Sequence, residues 1–348
     1  RDLRMSRGLG DVYKRQDMAF KIAFFDTKPY DRASFDEVNE KYGFEILYHK
    51  GQLNRNNVVL TQGMDAICIF VHDTADTAII EQMAGYGVKL IALRAAGYNN
   101  VDLAAAKDKL KVVRVPAYSP YAVAEHAVAL MLALNRKIHR AYWRTRDGNF
   151  ALHGLMGFDM NGKTAGIIGT GKIARILIRI LQGFGMKVVA YDLYPDEKYA
   201  REVGISYVSL DGLYAQADMI SLHVPLTDQT KNMIDAQSIA KMKEGTIIIN
   251  TSRGQLIHTN ALIEGLKSKK IAAAGLDVYE EEEGYFYEDQ SDKIIDDDVL
   301  ARLLSFNNVI VTSHQGFFTR EAMHNIAETT LQNIQDFIDG KTLVNEVS

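Results

Sequence analysis

The stretch that most constrains the fold is an apolar run at residues 164–168. It ends in Gly169-Thr170-Gly171-Lys172-Ile173-Ala174 and passes directly into helix-period apolar residues, Ile176, Leu177, Ile180, Leu181 and Phe184. A strand, a glycine turn and a helix in that order form the first βα unit of a parallel sheet that holds a dinucleotide. Gly169 permits the tight turn, Gly171 lets backbone approach a pyrophosphate, and the small Ala174 allows close helix–strand packing, while the helix N-terminus favours an anion. Asp192 ends the next apolar run, placed to accept hydrogen bonds from ribose hydroxyls and to repel a 2'-phosphate. Glycines alone would say little; strand, helix and acid in register point to NAD, held at Gly169, Thr170, Gly171, Lys172, Ile173 and Asp192.

The same rhythm extends in both directions. Short β-rich runs at residues 21–25, 44–48, 66–70, 88–93 and 111–115 alternate with amphipathic segments, the pattern of βα units on a parallel sheet. Asp31 is expected to cap a helix that Gly43 ends. Pro116 and Pro120 then punctuate the chain, and Pro120 suits the first turn of a connecting helix running to about residue 146. A second series follows, with six strands expected at 164–168, 187–191, 218–223, 246–250, 271–276 and 309–311, and a last helix at 319–338. A chain of 348 residues exceeds what one hydrophobic core usually organises, so two domains are expected.

Composition narrows the function classes. The net charge of -4, with both signs interspersed, offers no basic surface for releasing counterions from a nucleic acid. The longest apolar candidate, residues 122–134, is interrupted by Glu125 and His126 and is too short to span a bilayer, so it reads as a buried helix and no membrane is expected. The single cysteine, Cys68, sits in an apolar run; it can form no intrachain disulfide and reads as a buried, inert thiol in a reducing cytoplasm. No metal site is expected. Residues 1–17 include Asp11-Val12-Tyr13-Lys14-Arg15-Gln16, which resembles a translated transposon end, and they are expected to be a non-native or disordered tail.

A nicotinamide cofactor transfers hydride, and a 2-keto acid receiving it needs a cation for its carboxylate and an acid for its carbonyl oxygen. Arginine's planar fork matches a carboxylate, and histidine titrates near neutrality. Ligands of doubly wound sheets gather at the carboxyl ends of strands. Three segments lie there: Asn250-Thr251-Ser252-Arg253-Gly254, Asp277-Val278-Tyr279 leading into Glu280 to Glu283, and Ser313-His314-Gln315-Gly316-Phe317-Phe318. By themselves they remain open to plainer readings, because loop arginines are commonly solvated, glutamate runs commonly form charged surface and lone histidines are commonly structural.

With these motifs in place, the sequence strongly resembles the D-isomer-specific 2-hydroxyacid dehydrogenase family. The family's S-R-G is matched by Ser252-Arg253-Gly254, its D-V-[FY] with a glutamate five residues on by Asp277 and Glu282, and its loop histidine by His314. Within the family the likeness is closest to the bacterial fermentative D-lactate dehydrogenase branch. Leu93-Arg94-Ala95-Ala96-Gly97-Tyr98-Asn99-Asn100-Val101-Asp102, Val115-Pro116-Ala117-Tyr118-Ser119-Pro120, Asn135-Arg136-Lys137-Ile138-His139-Arg140 and Gly284-Tyr285-Phe286-Tyr287-Glu288-Asp289 carry it. The resemblance implies two doubly wound α/β domains: a Rossmann NAD-binding domain at residues 118–315, inserted into a flavodoxin-like substrate domain of residues 18–117 and 316–348. Hinges near 117–119 and 313–316 and an active-site cleft are implied too, as is a homodimer or homotetramer contacting through the coenzyme domain's long helix.

The resemblance also implies roles. Pyruvate and D-lactate are the implied substrate pair, with the carboxylate held by Arg253 and the N–H groups of Ala96 and Gly97. His314 is the acid–base group, with Glu282 favouring its imidazolium. Tyr118 and Phe317 are candidates for the pocket around the substrate methyl, and Arg94 for shaping the carboxylate loop or forming an ion pair. His223, with Val224 and Pro225, is expected to line the cofactor cleft, and Thr251 and Asp277 to contact the cofactor. His126 reads as structural or as a subunit contact, and His49, His72, His139, His153 and His324 as structural or solvated. Where many relatives carry aspartate, this chain has His258, which should weaken a local capping role. A dehydrogenase of the same class for larger 2-keto acids, and an NAD-sensing binding protein of the same fold, are the competing readings.

Overall fold

The computed structural model describes residues 20–282 and 284–347; the expected tail at 1–17 lies outside the described residues. The chain divides into two compact units, one made of residues up to Tyr118 together with those from Thr319 onward, the other of Ser119–Phe318.

The first unit is built on five parallel strands, β1 (Lys21–Phe24), β2 (Glu45–Tyr48), β3 (Ala66–Ile69), β4 (Leu90–Leu93) and β5 (Lys111–Val113), in the order β2-β1-β3-β4-β5. That order is flavodoxin-like. The central strands, Ala-Ile-Cys-Ile and Leu-Ile-Ala-Leu, are buried at every residue, as parallel strands covered on both faces must be. Cys68 lies inside β3, and burial pushes its thiol up to about 12, so it stays protonated and inert. The C-terminal helix, Arg320–Ile338, capped by Thr319, packs on the helix Pro29–Asn39 and on β4. Asp31 does not cap that first helix. It sits in the first turn, where its carboxylate accepts the N–H of the capping residue Lys28 at 3.0 Å, and the helix stops at Asn39, ahead of the left-handed Gly43.

Seven parallel strands make the second unit: β6 (Thr164–Ile168), β7 (Lys187–Tyr191), β8 (Ser206–Tyr207), β9 (Met219–Leu222), β10 (Thr246–Asn250), β11 (Ile271–Leu276) and β12 (Val309–Val311). Their order, β12-β11-β10-β9-β6-β7-β8, is doubly wound and reverses between β6 and β9. Alternate residues feed opposite faces: Ile248 joins one core cluster, Ile247 and Ile249 the other. The edge strand β8 is a seventh beyond the six expected. It is only two residues long, too short to show alternation, and is visible only through its ladder to Val189 and Ala190.

The helix expected to run to residue 146 is two helices, Pro120–Arg136 and Ile138–Arg146, broken at Lys137, which adopts a left-handed conformation (φ 52°, ψ 38°). Ser119 caps the first, accepting the Ala122 N–H at 3.3 Å, and the helix belongs wholly to the second unit. The return to the first unit falls after Phe318, not after residue 315. The reason is local: the Asp277 carboxylate, just past β11, accepts the N–H groups of Gln315 (2.9 Å) and Gly316 (2.8 Å) and holds that loop to the second sheet.

Candidate active site

At the switch point, Gly169 (φ 89°) turns the chain out of β6, and a Cβ there would lie 2.4 Å from the His223 carbonyl oxygen at the end of β9, so only glycine fits. Gly171 opens the helix Lys172–Gly183 without a side-chain cap, and a Cβ there would meet nothing within 4 Å. Backbone at this helix N-terminus is therefore open to close approach on the Gly171 side, as an incoming pyrophosphate requires. Ala174 is fully buried, which gives the close helix–sheet contact its size permits.

Asp192, just past β7, accepts from Thr170 through both its N–H (2.7 Å) and its hydroxyl (2.8 Å), and from the Tyr194 N–H (2.9 Å). Burial pushes its carboxyl up, but these donors and nearby Arg175 outweigh that and leave it below the usual carboxylate range. Arg175 is itself occupied: it pairs with Asp196 at 2.8 Å and lies 4.1 Å over the Tyr199 ring. The carboxylate thus keeps its charge, as selection against a 2'-phosphate needs. Thr251, just past β10, is buried, and among the described residues its hydroxyl has no hydrogen-bond partner. A buried hydroxyl left without a partner is one that a bound dinucleotide would satisfy. His223 bonds Ser221 at 2.8 Å, and desolvation pushes its imidazole down to about 4, so it is neutral near pH 7. Val224 and Pro225 follow it at the end of β9, where the Pro225 carbonyl accepts the Thr230 hydroxyl.

The expected chemical groups sit past three adjacent strands, whose ends are in register at Asn250, Leu276 and Val311. Asn250 closes the first turn: its carbonyl oxygen accepts the Ser252 N–H (3.1 Å) and its amide donates to the Arg253 carbonyl (2.8 Å). Ser252 is tied back to β9 through the Leu222 carbonyl at 2.7 Å. On this braced turn Arg253 is exposed, and among the described residues its guanidinium donates to the Ser252 carbonyl alone. The remaining N–H groups are left for an anion.

Gly254 explains the S-R-G pattern. A Cβ on it would fall 1.9 Å from the Tyr279 carbonyl carbon and 2.3 Å from the Glu280 nitrogen, so the arginine turn rests backbone to backbone on the segment that carries the glutamates. Backbone cannot swing aside as a side chain can. Gly254→Ala is expected to cost roughly 3 kcal/mol or more of stability through overpacking, read by denaturant unfolding, and to depress activity with it. Wild-type stability in that variant would show that the turn is not held this tightly.

Of the glutamates that follow β11, Glu282 places Oε2 2.8 Å from His314 Nδ1. Its Oε1 accepts the Tyr279 N–H at 3.0 Å, which fixes the carboxylate. A carboxylate can only accept from Nδ1, so Nδ1 carries a proton and Nε2 is the nitrogen available for chemistry. His314 is held at φ 50°, a left-handed conformation that costs about 1–2 kcal/mol for a non-glycine residue. Its N–H donates to the Asp277 carbonyl at 2.8 Å, and its carbonyl accepts the Tyr287 hydroxyl at 3.1 Å. The Tyr287 ring stacks on the imidazole with centroids 6.1 Å apart.

Asp277, expected at the cofactor, is buried and fully engaged in bracing this loop. Besides the Gln315 and Gly316 amides it accepts the Thr312 hydroxyl (2.5 Å), and His126 Nε2 lies 3.2 Å away. A Cβ on Gly316 would sit 2.8 Å from the carboxylate and would have to displace it. His126 also bonds Thr312 at 3.0 Å and is structural. His258 departs from expectation: its Nδ1 accepts the Ala261 N–H at 3.2 Å, so the histidine itself caps the helix Thr259–Lys267. Phe317 follows the loop with its ring edge-on to Phe318.

In the first unit, Ala96 and Gly97 form a turn past β4, and Tyr118 gives its carbonyl to Asn325 at 2.7 Å. Arg94 is a buried ion-pair hub. It lies between the Phe24 and Phe70 rings, 3.6 Å from Asp31, and donates to the Asp26 carbonyl at 2.8 Å. Thr312, Tyr287 and Arg114 were not singled out from the sequence, since nothing local marks a long-range partner.

Residues 128–316 match the family model described as the NAD binding domain of D-isomer specific 2-hydroxyacid dehydrogenases. The chain belongs to that family. Consistent with this membership, it is 50% identical over 328 residues to the D-lactate dehydrogenase of Escherichia coli, a match covering 94% of this chain and 99% of that protein. Among solved structures, the D-lactate dehydrogenase of Salmonella superposes with a TM-score of 0.86 at 50% identity, covering 94% of this chain and 100% of that one. A pyruvate reductase of Chlamydomonas reinhardtii superposes at 0.90 with 43% identity, covering 94% and 98%. For a member of this family, NAD is the cofactor and the second unit is its binding domain.

Proposed function

We propose that this chain is a D-lactate dehydrogenase that reduces pyruvate to D-lactate with NADH, the first unit serving as its substrate domain. The observation that carries the reading is the 2.8 Å pairing of His314 with Glu282, on strand ends in register with the one that presents Arg253. Extensive identity with D-lactate dehydrogenases supports lactate over larger substrates.

NADH, when bound, supplies the hydride to the keto carbon. Arg253 takes the substrate carboxylate through its planar fork, and orientation contributes much of the rate; the first unit's own carboxylate-binding groups are the N–H groups of Ala96 and Gly97. His314 gives a proton from Nε2 to the carbonyl oxygen, and in lactate oxidation the neutral ring takes it back. Glu282 holds the ring's orientation and opposes the charge of the imidazolium. Thr251 and Asp277 serve the cofactor side, Asp277 through the loop it braces, and Tyr118 and Phe317 border the substrate methyl.

Glu282→Gln keeps a hydrogen-bond acceptor for Nδ1 but removes the negative charge. With the ring's charged partner gone, kcat for pyruvate reduction is expected to fall while the KM for NADH stays unchanged, measured by steady-state kinetics. A wild-type kcat in this variant would count against the pair.

The proposed assembly is a homodimer or homotetramer. The helix Ile138–Arg146 buries none of its residues, and Ile138, Trp143, Phe150, Leu152 and Met156 are exposed, an apolar surface that suits a second copy. A fermentative role in the cytoplasm is part of the proposal; among the described residues no helix is long and apolar enough to cross a membrane. NADH oxidation followed with pyruvate, phenylpyruvate and 2-ketoisocaproate tests the substrate. The expected result is highest kcat/KM for pyruvate, and a preference for either larger acid would replace lactate by that substrate.

A further inference from the structure

The turn proposed to receive the substrate carboxylate has to present two adjacent N–H groups, and a glycine-containing turn does not hold such an orientation unaided. In the first unit both peptide planes are fixed from residues 114–115. The Ala95 carbonyl accepts the Val115 N–H at 3.1 Å, and the Ala96 carbonyl accepts Nη1 of Arg114 at 2.7 Å. In a planar trans peptide the C=O and the following N–H point in opposite directions. Anchoring the two carbonyls therefore aims the N–H groups of Ala96 and Gly97 away from residues 114–115. Among the described residues neither N–H has a hydrogen-bond acceptor, so both are available to an anion.

We infer that Arg114 is a positioning residue for the substrate carboxylate: it never touches the substrate but locks the Ala96–Gly97 peptide in the orientation that binds it. The inference rests on the dehydrogenase reading above. Among the described residues the hydrogen bond and the ring contact of the Arg114 side chain both fall on this turn, since besides bonding Ala96 its guanidinium lies 5.2 Å over the ring of Tyr98. Its own backbone is held at both ends: its N–H donates to the Asn345 carbonyl at 3.1 Å, and its carbonyl accepts the Asn333 amide at 3.0 Å. Asn345 in turn donates to Asn333 at 2.8 Å. The C-terminal segment thus sets where the arginine stands, and the arginine sets the turn. Further along, the Asn100 amide bonds the Phe70 and Asp73 carbonyls, so the far end of the turn is pinned independently and should survive loss of Arg114.

The test compares wild type, Arg114→Met and Arg114→Lys by steady-state kinetics, with oxamate as a non-reacting carboxylate probe. In Arg114→Met the KM for pyruvate and the Kd for oxamate should both rise about tenfold, as expected for losing one charge-assisted hydrogen bond. The KM for NADH should be unchanged and kcat much less affected, and Arg114→Lys should recover part of the loss because its ammonium can still donate to Ala96. Unchanged pyruvate and oxamate affinities in Arg114→Met overturn the inference. So does an equal loss of NADH and pyruvate affinity, which marks a merely structural role. If Arg114→Met does not fold, Tyr98→Leu, which removes the ring under the guanidinium, should raise the same two constants, and unchanged constants there overturn it equally. A wild type that binds no oxamate and reduces no 2-keto acid would instead bring down the dehydrogenase reading, and the inference with it.

Discussion

His314→Asn is expected to lower kcat for pyruvate reduction by roughly 10²–10⁴-fold, the range for removing a positioned general acid, while NADH binding and folding stay close to wild type. Asparagine is the informative replacement because His314 stands at φ 50°, a conformation that asparagine tolerates better than other non-glycine residues. The loop keeps its other supports, chiefly the Asp277 carboxylate on the Gln315 and Gly316 amides. Fluorescence titration with NADH alongside stopped-flow reduction of pyruvate would separate binding from chemistry. A variant that binds NADH normally and turns over at the wild-type rate would remove His314 from the mechanism.

The second large effect belongs to Arg253. Arg253→Met is expected to reduce kcat/KM for pyruvate by roughly 10²–10⁴-fold, since two hydrogen bonds to a charged group, at about 1.5–3 kcal/mol each, are lost together. Because the side chain is exposed and, among the described residues, bonds only its neighbour's carbonyl, its removal should cost little stability. Arg253→Lys should recover only a fraction, an ammonium being a point charge without the planar fork. Near-normal pyruvate kinetics in the lysine variant would exclude bidentate binding.

Much of the architecture was legible from hydrophobic pattern, because parallel strands buried on both faces must be written in apolar residues. Residues 246–250 and 271–276 are such runs, and both are strands with the expected bounds. The glycine turn was legible for a similar reason, since a strand, two glycines and a helix admit few arrangements. What could not be read was long-range or too short. Strand β8 has two residues, and the break at Lys137 is a single left-handed residue within an otherwise helical sequence.

At the site, composition alone does not separate Glu282 from its neighbours; its place five residues after Asp277 in the family pattern picks it out, and the fold brings it to His314. Gly254 looked like half of a motif, and its reason, the backbone of Tyr279 pressed against it, lies in another segment. The resemblance implies a cofactor contact for Asp277, and its carboxylate is taken up by Thr312, Gln315, Gly316 and His126, partners no local pattern announces. His258 looked like a lost cap, yet its ring nitrogen does what an aspartate oxygen would do.

The central claim is that these groups deliver hydride and proton to pyruvate so that one enantiomer of lactate results. It is tested most directly by incubating the purified protein with pyruvate and NADH and resolving the product by chiral chromatography. D-lactate, formed in amounts equal to the NADH consumed, is the predicted result. L-lactate, a racemic product, or NADH consumption without lactate would contradict it.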